Sequence, residues 1–442
     1  MRTERTETTE KTERERPDAS RIWHATQRSL WWLAILWLMP LWTTAAQRTS
    51  PSSPSSPSSP SPDASRDLQV YLMTFGPGRQ VWERFGHNAI WIHDPVSGTD
   101  EAYNYGLFDF QQENFLLRFI RGQMWYWMAG FPAQQYVAQY ERDNRSIWVQ
   151  ELELSVRAKV QLQEFLRWNA EPEHRFYHYD YYRDNCSTRV RDAIDRVLGG
   201  AIRQQTRSVP TGATYRFHTL RLTANDPLIY TGLLLALGEG VDGPISAWEE
   251  MFLPLKMQEH VRRVTVPGPD GRRLPLVRSE RTIFESSAPA PPEAPPAWLP
   301  WYLALGVVVG GAALLLARRA AEGGGARRGL LVLAGAWSLV AGLAGLVLAG
   351  LWGLTDHVMA YRNENLLQLN PLALLLLPGI VGGMRRRGTA RVASTAALAI
   401  AGLALLGLLL KLLPWFDQVN GPVIALALPA QLGIAAALRR LA

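Results

Sequence analysis

The sequence predicts an α+β extracytoplasmic domain followed by an all-α, multi-span membrane domain. Three observations lead to that reading. A basic stretch, a short apolar run and a small-residue exit stand near the N-terminus, the pattern of an export signal. A stretch of globular composition follows, fenced by a Ser/Pro tract and a Pro/Ala tract. Beyond about Trp298 the chain is mostly Leu, Ala, Gly and Val broken by arginine clusters, which suits membrane helices and not a soluble core. The mean hydropathy of -0.08 averages over these unlike parts. The net charge of +7 makes no case for nucleic acid. Many basic residues flank apolar segments, where they set topology, and there is no basic stripe with stacking aromatics.

Residues 1–47 read as a charged leader and a signal peptide or signal anchor. Met1 to Ser20 are charged and lack apolar periodicity, so they are expected to be disordered. Leu30 to Trp42 are apolar but too short for a comfortable span, and Thr43-Thr44-Ala45-Ala46 follow. Cleavage near Ala46 and an uncleaved anchor both export the chain beyond. Residues 48–65 form a Ser/Pro linker that cannot build a core and acts as an extended tether. Residues 66–286 form the domain, and residues 287–298 a second, Pro/Ala linker.

Residues 299–442 hold five apolar segments, roughly Leu299–Ala317, Gly329–Leu354, Leu366–Met384, Val392–Leu413 and Pro422–Leu438. Each is near the length that crosses about 30 Å of hydrocarbon. Arg318-Arg319 with Arg327-Arg328, Arg385-Arg386-Arg387 with Arg391, and Arg439-Arg440 mark one side of the membrane. Positive-inside logic puts them in the cytoplasm, so the first span runs out-to-in and the domain lies outside. The export signal gives the same orientation independently.

Within the domain, Asp67–Phe75 reads as a strand, Gln80–Phe85 as a helical turn and His87–His93 as a strand ended by the turn Asp94–Gly98. Glu101–Tyr105 is its hairpin partner. Gln112–Ile120 reads as a helix and Gln123–Met128 as a strand. Ala133–Arg142 and Val156–Asn169 read as helices, with Ser155 capping the second. Arg175–Tyr182 is an aromatic-rich extended segment. From Val190, apolar residues at offsets 0, 3, 4, 7 and 8 give a helix one buried face, stopped by Gly199-Gly200.

Cys186 opens that helix and is the only cysteine in the chain. It is either a buried small hydrophobe or a chemically used thiol. Its neighbours Asp184, Asn185, Ser187 and Thr188 are polar and it precedes the apolar face, which favours the second reading. Asn185 or Asp184 can cap the helix. Unpaired N–H groups and the helix dipole favour a thiolate, and Arg189 adds charge. A thiolate nucleophile needs a base. Among His87, His93, His174, His178, His218 and His260 the choice falls on His87, which starts a strand after Phe85-Gly86. His178 and His93 are the alternatives. Asn104 would face away from Tyr103 and Tyr105 on the adjacent strand, where an amide can orient the ring; Asp109 is the runner-up, and Asn104 as a turn-former near Gly106 is the plain alternative. One cysteine with scattered histidines lacks zinc-ligand spacing, and the chain carries no Walker loop, dinucleotide fingerprint or Gly-x-Ser-x-Gly elbow. No cofactor or metal is expected.

Histidine before cysteine reverses the papain order. On a small mixed scaffold this resembles the circularly permuted papain-like enzymes of the NlpC type. More specifically, Phe85-Gly86-His87-Asn88-Ala89, Tyr103-Asn104-Tyr105-Gly106 with Phe108-Asp109-Phe110, and His178-Tyr179-Asp180-Tyr181 with Asp184-Asn185-Cys186 resemble the Lnb-type family of bacterial lipoprotein N-acyltransferases. Trp248 to Leu255 and the loop His357 to Pro371 fit the same family. The resemblance covers about Asp67 to Met257 and much of the membrane part. It implies an inner-membrane acyltransferase whose Cys186 takes an acyl chain from a phospholipid donor as a thioester. His87 would act as base and a diacylated lipoprotein as acceptor. Trp125-Tyr126-Trp127 would suit a bilayer interface, or ordinary core packing. A cell-wall or peptide hydrolase would use the same pair but needs only an anchor, not five spans. A non-enzymatic assembly or signalling protein is the third reading. Against it, His357, Asn363, Glu364, Asn365 and Asn370 crowd one outer loop, as if the membrane part shapes a site; a solvated loop is their plain alternative.

Overall fold

The computed structural model describes residues 68–109, 111, 113–320, 324–385 and 390–441. The expected leader, signal and Ser/Pro tether, together with Phe110, Gln112, Arg386 and Arg387, lie outside the described residues. The strands are β1 (Gln69–Phe75), β2 (His87–Asp94), β3 (Thr99–Leu107), β4 (Trp125–Pro132), β5 (Ile147–Leu152), β6 (Phe176–His178), β7 (Pro210–Thr214), β8 (Pro244–Ser246), β9 (Thr265–Pro267), β10 (Arg273–Pro275) and β11 (Val277–Phe284). Seven of them form one antiparallel sheet in the order β11-β5-β1-β2-β3-β4-β6. The helices of this part are α1 (Phe115–Arg121), α2 (Ala133–Arg142), α3 (Val156–Ala170), α4 (Cys186–Val197), α5 (Ala201–Thr206), α6 (Tyr215–Leu222), α7 (Pro227–Ala236), α8 (Ala247–Glu250) and α9 (Pro254–Val261).

Alternation along the strands divides the sheet into two faces. Val70, Leu72, Ile90, Ile92, Tyr103 and Tyr105 pack under α3 and α4. Met73, Phe75, Ala89 and Ala102 point the other way, against Tyr136 and Tyr140 of α2. The helix from Cys186 buries Val190, Ala193 and Ile194, the face its spacing predicts. Ser155 caps α3 by accepting the Ala158 N–H at 3.2 Å.

Within the seven-stranded sheet, two strands escape the sequence pattern. In β5 the alternation fails because buried Gln150 donates to the Gln258 carbonyl at 3.0 Å. β11 is polar because it is the sheet's edge. The extended stretch expected over Arg175–Tyr182 shortens to β6. Asp180 accepts the N–H groups of Tyr182 (2.9 Å) and Arg183 (2.8 Å) and turns the chain into the Cys186 helix.

The C-terminal part contains α10 (Leu299–Arg319), α11 (Gly324–Leu354), α12 (Leu376–Arg385), α13 (Ala390–Leu410) and α14 (Gly421–Leu441). Among the described residues, five stretches are long and apolar enough to cross a bilayer, the third formed by Glu364–Gly382, whose tight turns lead into α12. The α+β domain packs on the end of the bundle opposite Arg318, Arg319, Arg439 and Arg440. The outer loop is not a solvated one. Asn363 donates to the carbonyls of Leu235 (2.7 Å) and Ala236 (3.1 Å), and Asn365 to Leu234 (3.2 Å) and Leu235 (3.0 Å). These amides satisfy the last carbonyls of α7, which would otherwise lack partners.

Candidate active site

Cys186 occupies the first position of α4, and Asn185, not Asp184, caps it. The Asn185 side-chain oxygen accepts the N–H groups of Ser187 and Thr188, both at 2.9 Å, while Thr188 Oγ1 accepts the Asn185 N–H at 2.8 Å. Ser187 then locks the helix to the sheet. Its buried hydroxyl bridges Asn88 Oδ1 and the Met251 carbonyl, both at 2.7 Å. Asn88 follows His87 directly, so this link sets cysteine and histidine side by side.

His87 and Asn104 share one face of adjacent strands, with Ala89 opposite Asn104 in the register. The His87 Nε2–H donates to Asn104 Oδ1 at 2.5 Å. An amide oxygen can only accept, so the proton sits on Nε2 and Nδ1 is the basic nitrogen. The ring lies over Tyr140, with centroids 6.4 Å apart and planes at 15°.

Cys186 comes from the helix on the opposite face of the sheet, and the two sides meet at Gly106. The β3–β4 register shifts between Tyr105 and Leu107, and Gly106 has φ of +90°. A Cβ there would lie 3.2 Å from Cys186 Cβ and 3.9 Å from His87 Cε1. With no side chain at Gly106, the Cys186 and His87 side chains both come within 4 Å of the same point. Gly106→Ala is expected to cost about 1–3 kcal/mol in backbone strain. It should also push Cys186 away from His87. A thermal melt run beside the rate of Cys186 acylation by p-nitrophenyl acetate should show a rate loss larger than the stability loss explains.

Burial dominates the electrostatics. It pushes the Cys186 thiol up to about 11, against the pull of the Asn88, Ser187 and Cys186 backbone N–H groups and of Arg145. It pulls His87 down to about 4, with the Asn104 bond opposing and Arg145 reinforcing. The resting pair is therefore neutral thiol and neutral imidazole, and the thiolate expected from the helix start is outweighed by desolvation. Arg189 does not supply the expected charge to the thiol. It is ion-paired with Asp184 and lies over the Tyr177 ring at 4.3 Å. Iodoacetamide should thus alkylate native Cys186 at neutral pH about a hundredfold more slowly than the unfolded chain, whose thiol titrates near 9. The native rate should rise with pH through 9; a plateau below 8 would contradict the assignment.

The other candidates lie elsewhere. His93 pairs with Asp100 at 2.8 Å at the far end of β2. His178 is exposed on β6 and edge-on to Trp125. His174 is exposed against Trp168. Asp109 is exposed and accepts the Gln111 N–H at 2.8 Å. His218 and His260 are buried on the two oxygens of Glu250, at 2.8 and 2.6 Å. That clamp explains the Trp248–Leu255 run as structural. Arg145 is the site feature that sequence reasoning missed. It is buried, lies over the Tyr140 ring at 4.5 Å and donates to the Gly76 carbonyl at 2.9 Å. Nothing in its local sequence, Asp143-Asn144-Arg145-Ser146, marks it.

Fold and site together define a class: a multi-span membrane protein whose α+β domain carries a Cys–His–Asn cluster on one side of the bilayer. Residues 63–225 match the Lnb N-terminal periplasmic domain, and residues 299–430 match the Lnb transmembrane domain. The chain belongs to the Lnb family, and its α+β domain is periplasmic. No curated protein and no solved structure matches it.

Proposed function

We propose that this protein is an acyltransferase of the inner membrane with Cys186 as nucleophile, His87 as general base and acid, and Asn104 as the group that orients His87. The observation that carries the reading is the meeting of Cys186 and His87 at Gly106, with Nε2 of His87 held by Asn104. The histidine-first order and the sheet-plus-helix scaffold suit a permuted papain-like enzyme.

The donor is a phospholipid ester. As the Cys186 sulfur attacks the ester carbonyl, its proton passes to His87 Nδ1 and a C–S bond forms. The ester C–O bond then breaks, and His87 returns the proton to the departing lysolipid oxygen. The α-amino group of a diacylglyceryl-cysteine lipoprotein attacks the thioester. His87 takes the amine proton, the C–N bond forms, the C–S bond breaks, and the thiol is restored by that proton. Splitting the transfer lets one cleft serve both substrates in turn. A neutral resting pair fits this sequence, because an idle thioester site gains nothing from a standing thiolate.

The test is to supply phospholipid without lipoprotein and analyse intact protein by mass spectrometry. An acyl chain on Cys186, released by hydroxylamine, is expected. Free fatty acid with no transfer to added lipoprotein would favour a hydrolase and overturn the reading.

A further inference from the structure

We propose that α1 lies in the outer leaflet of the bilayer, where its apolar face forms the lipid-side wall of the cleft that leads to Cys186. The helix leaves Leu116, Leu117, Phe119 and Ile120 between 43 and 48 % exposed, an apolar surface no soluble domain of this size needs. What covers it follows from where it is fastened. The Asp356 N–H donates to the Arg121 carbonyl at 2.7 Å, and Gln123 Nε2 donates to Asp356 Oδ2 at 2.8 Å. His357 Nε2 meets the Phe119 carbonyl at 3.0 Å. Gly122, with φ of +76°, brings the end of α1 against the backbone of His357, where a Cβ would be 2.9 Å from its nitrogen.

Asp356 stands two residues beyond Leu354, the last residue of the membrane helix α11. Two residues of chain reach at most about 7 Å. From Arg328 at the inner end to Leu354 the helix is about 40 Å long. A hydrocarbon core is about 30 Å thick and a bilayer with headgroups about 40–45 Å. The fastening point therefore falls in the outer headgroup layer. A helix held there with an apolar face settles about 5–10 Å into the boundary with the acyl chains. Arg118 and Arg121 sit in its last turn, where lipid phosphates meet basic side chains.

The same helix is wired to the site. It is the first helix after β3, the strand that carries Gly106. Phe115 stacks on Phe108 at 6.5 Å, Phe108 tilts onto Tyr126 at 5.2 Å, and Tyr126 stacks on Tyr179 at 4.1 Å. This aromatic wall runs from the membrane-facing helix to the cysteine's surroundings, since Tyr126, Tyr179 and Cys186 pack against the same core.

The experiment uses the full chain in phospholipid nanodiscs. The Cys186→Ser background removes the only native cysteine. A nitroxide is placed by Leu117→Cys or, as control, by Val96→Cys in the exposed turn between β2 and β3. Position 117 should collide more with dissolved oxygen than with a water-soluble nickel complex, and position 96 the reverse. Equal nickel access at both positions would overturn the proposal. In the chain that keeps Cys186, Leu117→Glu should lower acyl transfer from nanodisc lipid by about tenfold. Its Cys186 alkylation rate by iodoacetamide should be unchanged. This second arm rests on the acyltransferase reading, and the depth measurement does not. An absent thioester with position 117 in lipid would remove the proposed function and leave the helix where it is placed.

Discussion

Cys186→Ser is expected to abolish N-acylation of lipoproteins, with a rate loss of about ten-thousandfold or more. An alcohol is far harder to ionise than a thiol, and His87, held down to about 4, is too weak a base to do it. The hydroxyl nearly conserves the volume, so the native melt should survive and the loss should be one of chemistry. The measurement is mass spectrometry of lipoprotein N-termini in a strain that depends on this protein for their acylation. Undiminished N-acylation with serine at 186 would sink the mechanism.

The second large effect is expected from His87→Ala, a loss of about a thousandfold in the same assay, while His178→Ala leaves the rate unchanged. The proton count gives a further signature. Attack needs one proton on the Cys186–His87 pair, wherever it resides. That state persists from the folded His87 value of about 4 to the folded Cys186 value of about 11. Below that interval the imidazole takes a second proton, and above it the thiol loses its own. The rate of thioester formation on Cys186, measured without acceptor, should therefore run flat through the ordinary histidine value of 6.5, with no inflection there. An inflection between 6 and 7 that disappears in His87→Ala would show a solvated imidazole and contradict the desolvation of this half-buried pair.

Much of this was legible along the chain because it depends on local chemistry. Asn185 caps α4 whatever surrounds it, since its side chain reaches the N–H groups two and three residues on. Val190, Ala193 and Ile194 declare a buried face by spacing alone. Asn104 falls opposite its tyrosine neighbours because strands alternate. The Trp125-Tyr126-Trp127 run shows the limit. Alternation leaves Trp125 exposed and sends Tyr126 into the aromatic wall, so one run serves both surface and interior. The outer-loop asparagines show another. Their types say only that they are polar, and their role comes from carbonyls of α7 more than a hundred residues earlier in the chain.

The sequence by itself determined the architecture. Membrane spans, arginine clusters and period-two or period-3.6 patterns are each readable within about twenty residues, because hydrophobic burial acts on local composition. It also singled out Cys186, His87 and Asn104 as residue types with matching chemistry. Tertiary structure alone decided three things. It set the protonation of the pair, because desolvation sums over every neighbour, and it overruled the helix dipole that the local sequence advertises. It placed buried Arg145, and not Arg189, where its charge reaches the thiol. And it made Gly106 the point where the two faces of a sheet approach each other, since a packed helix end and a bulged strand bring Cys186 and His87 within 4 Å of where one Cβ would stand.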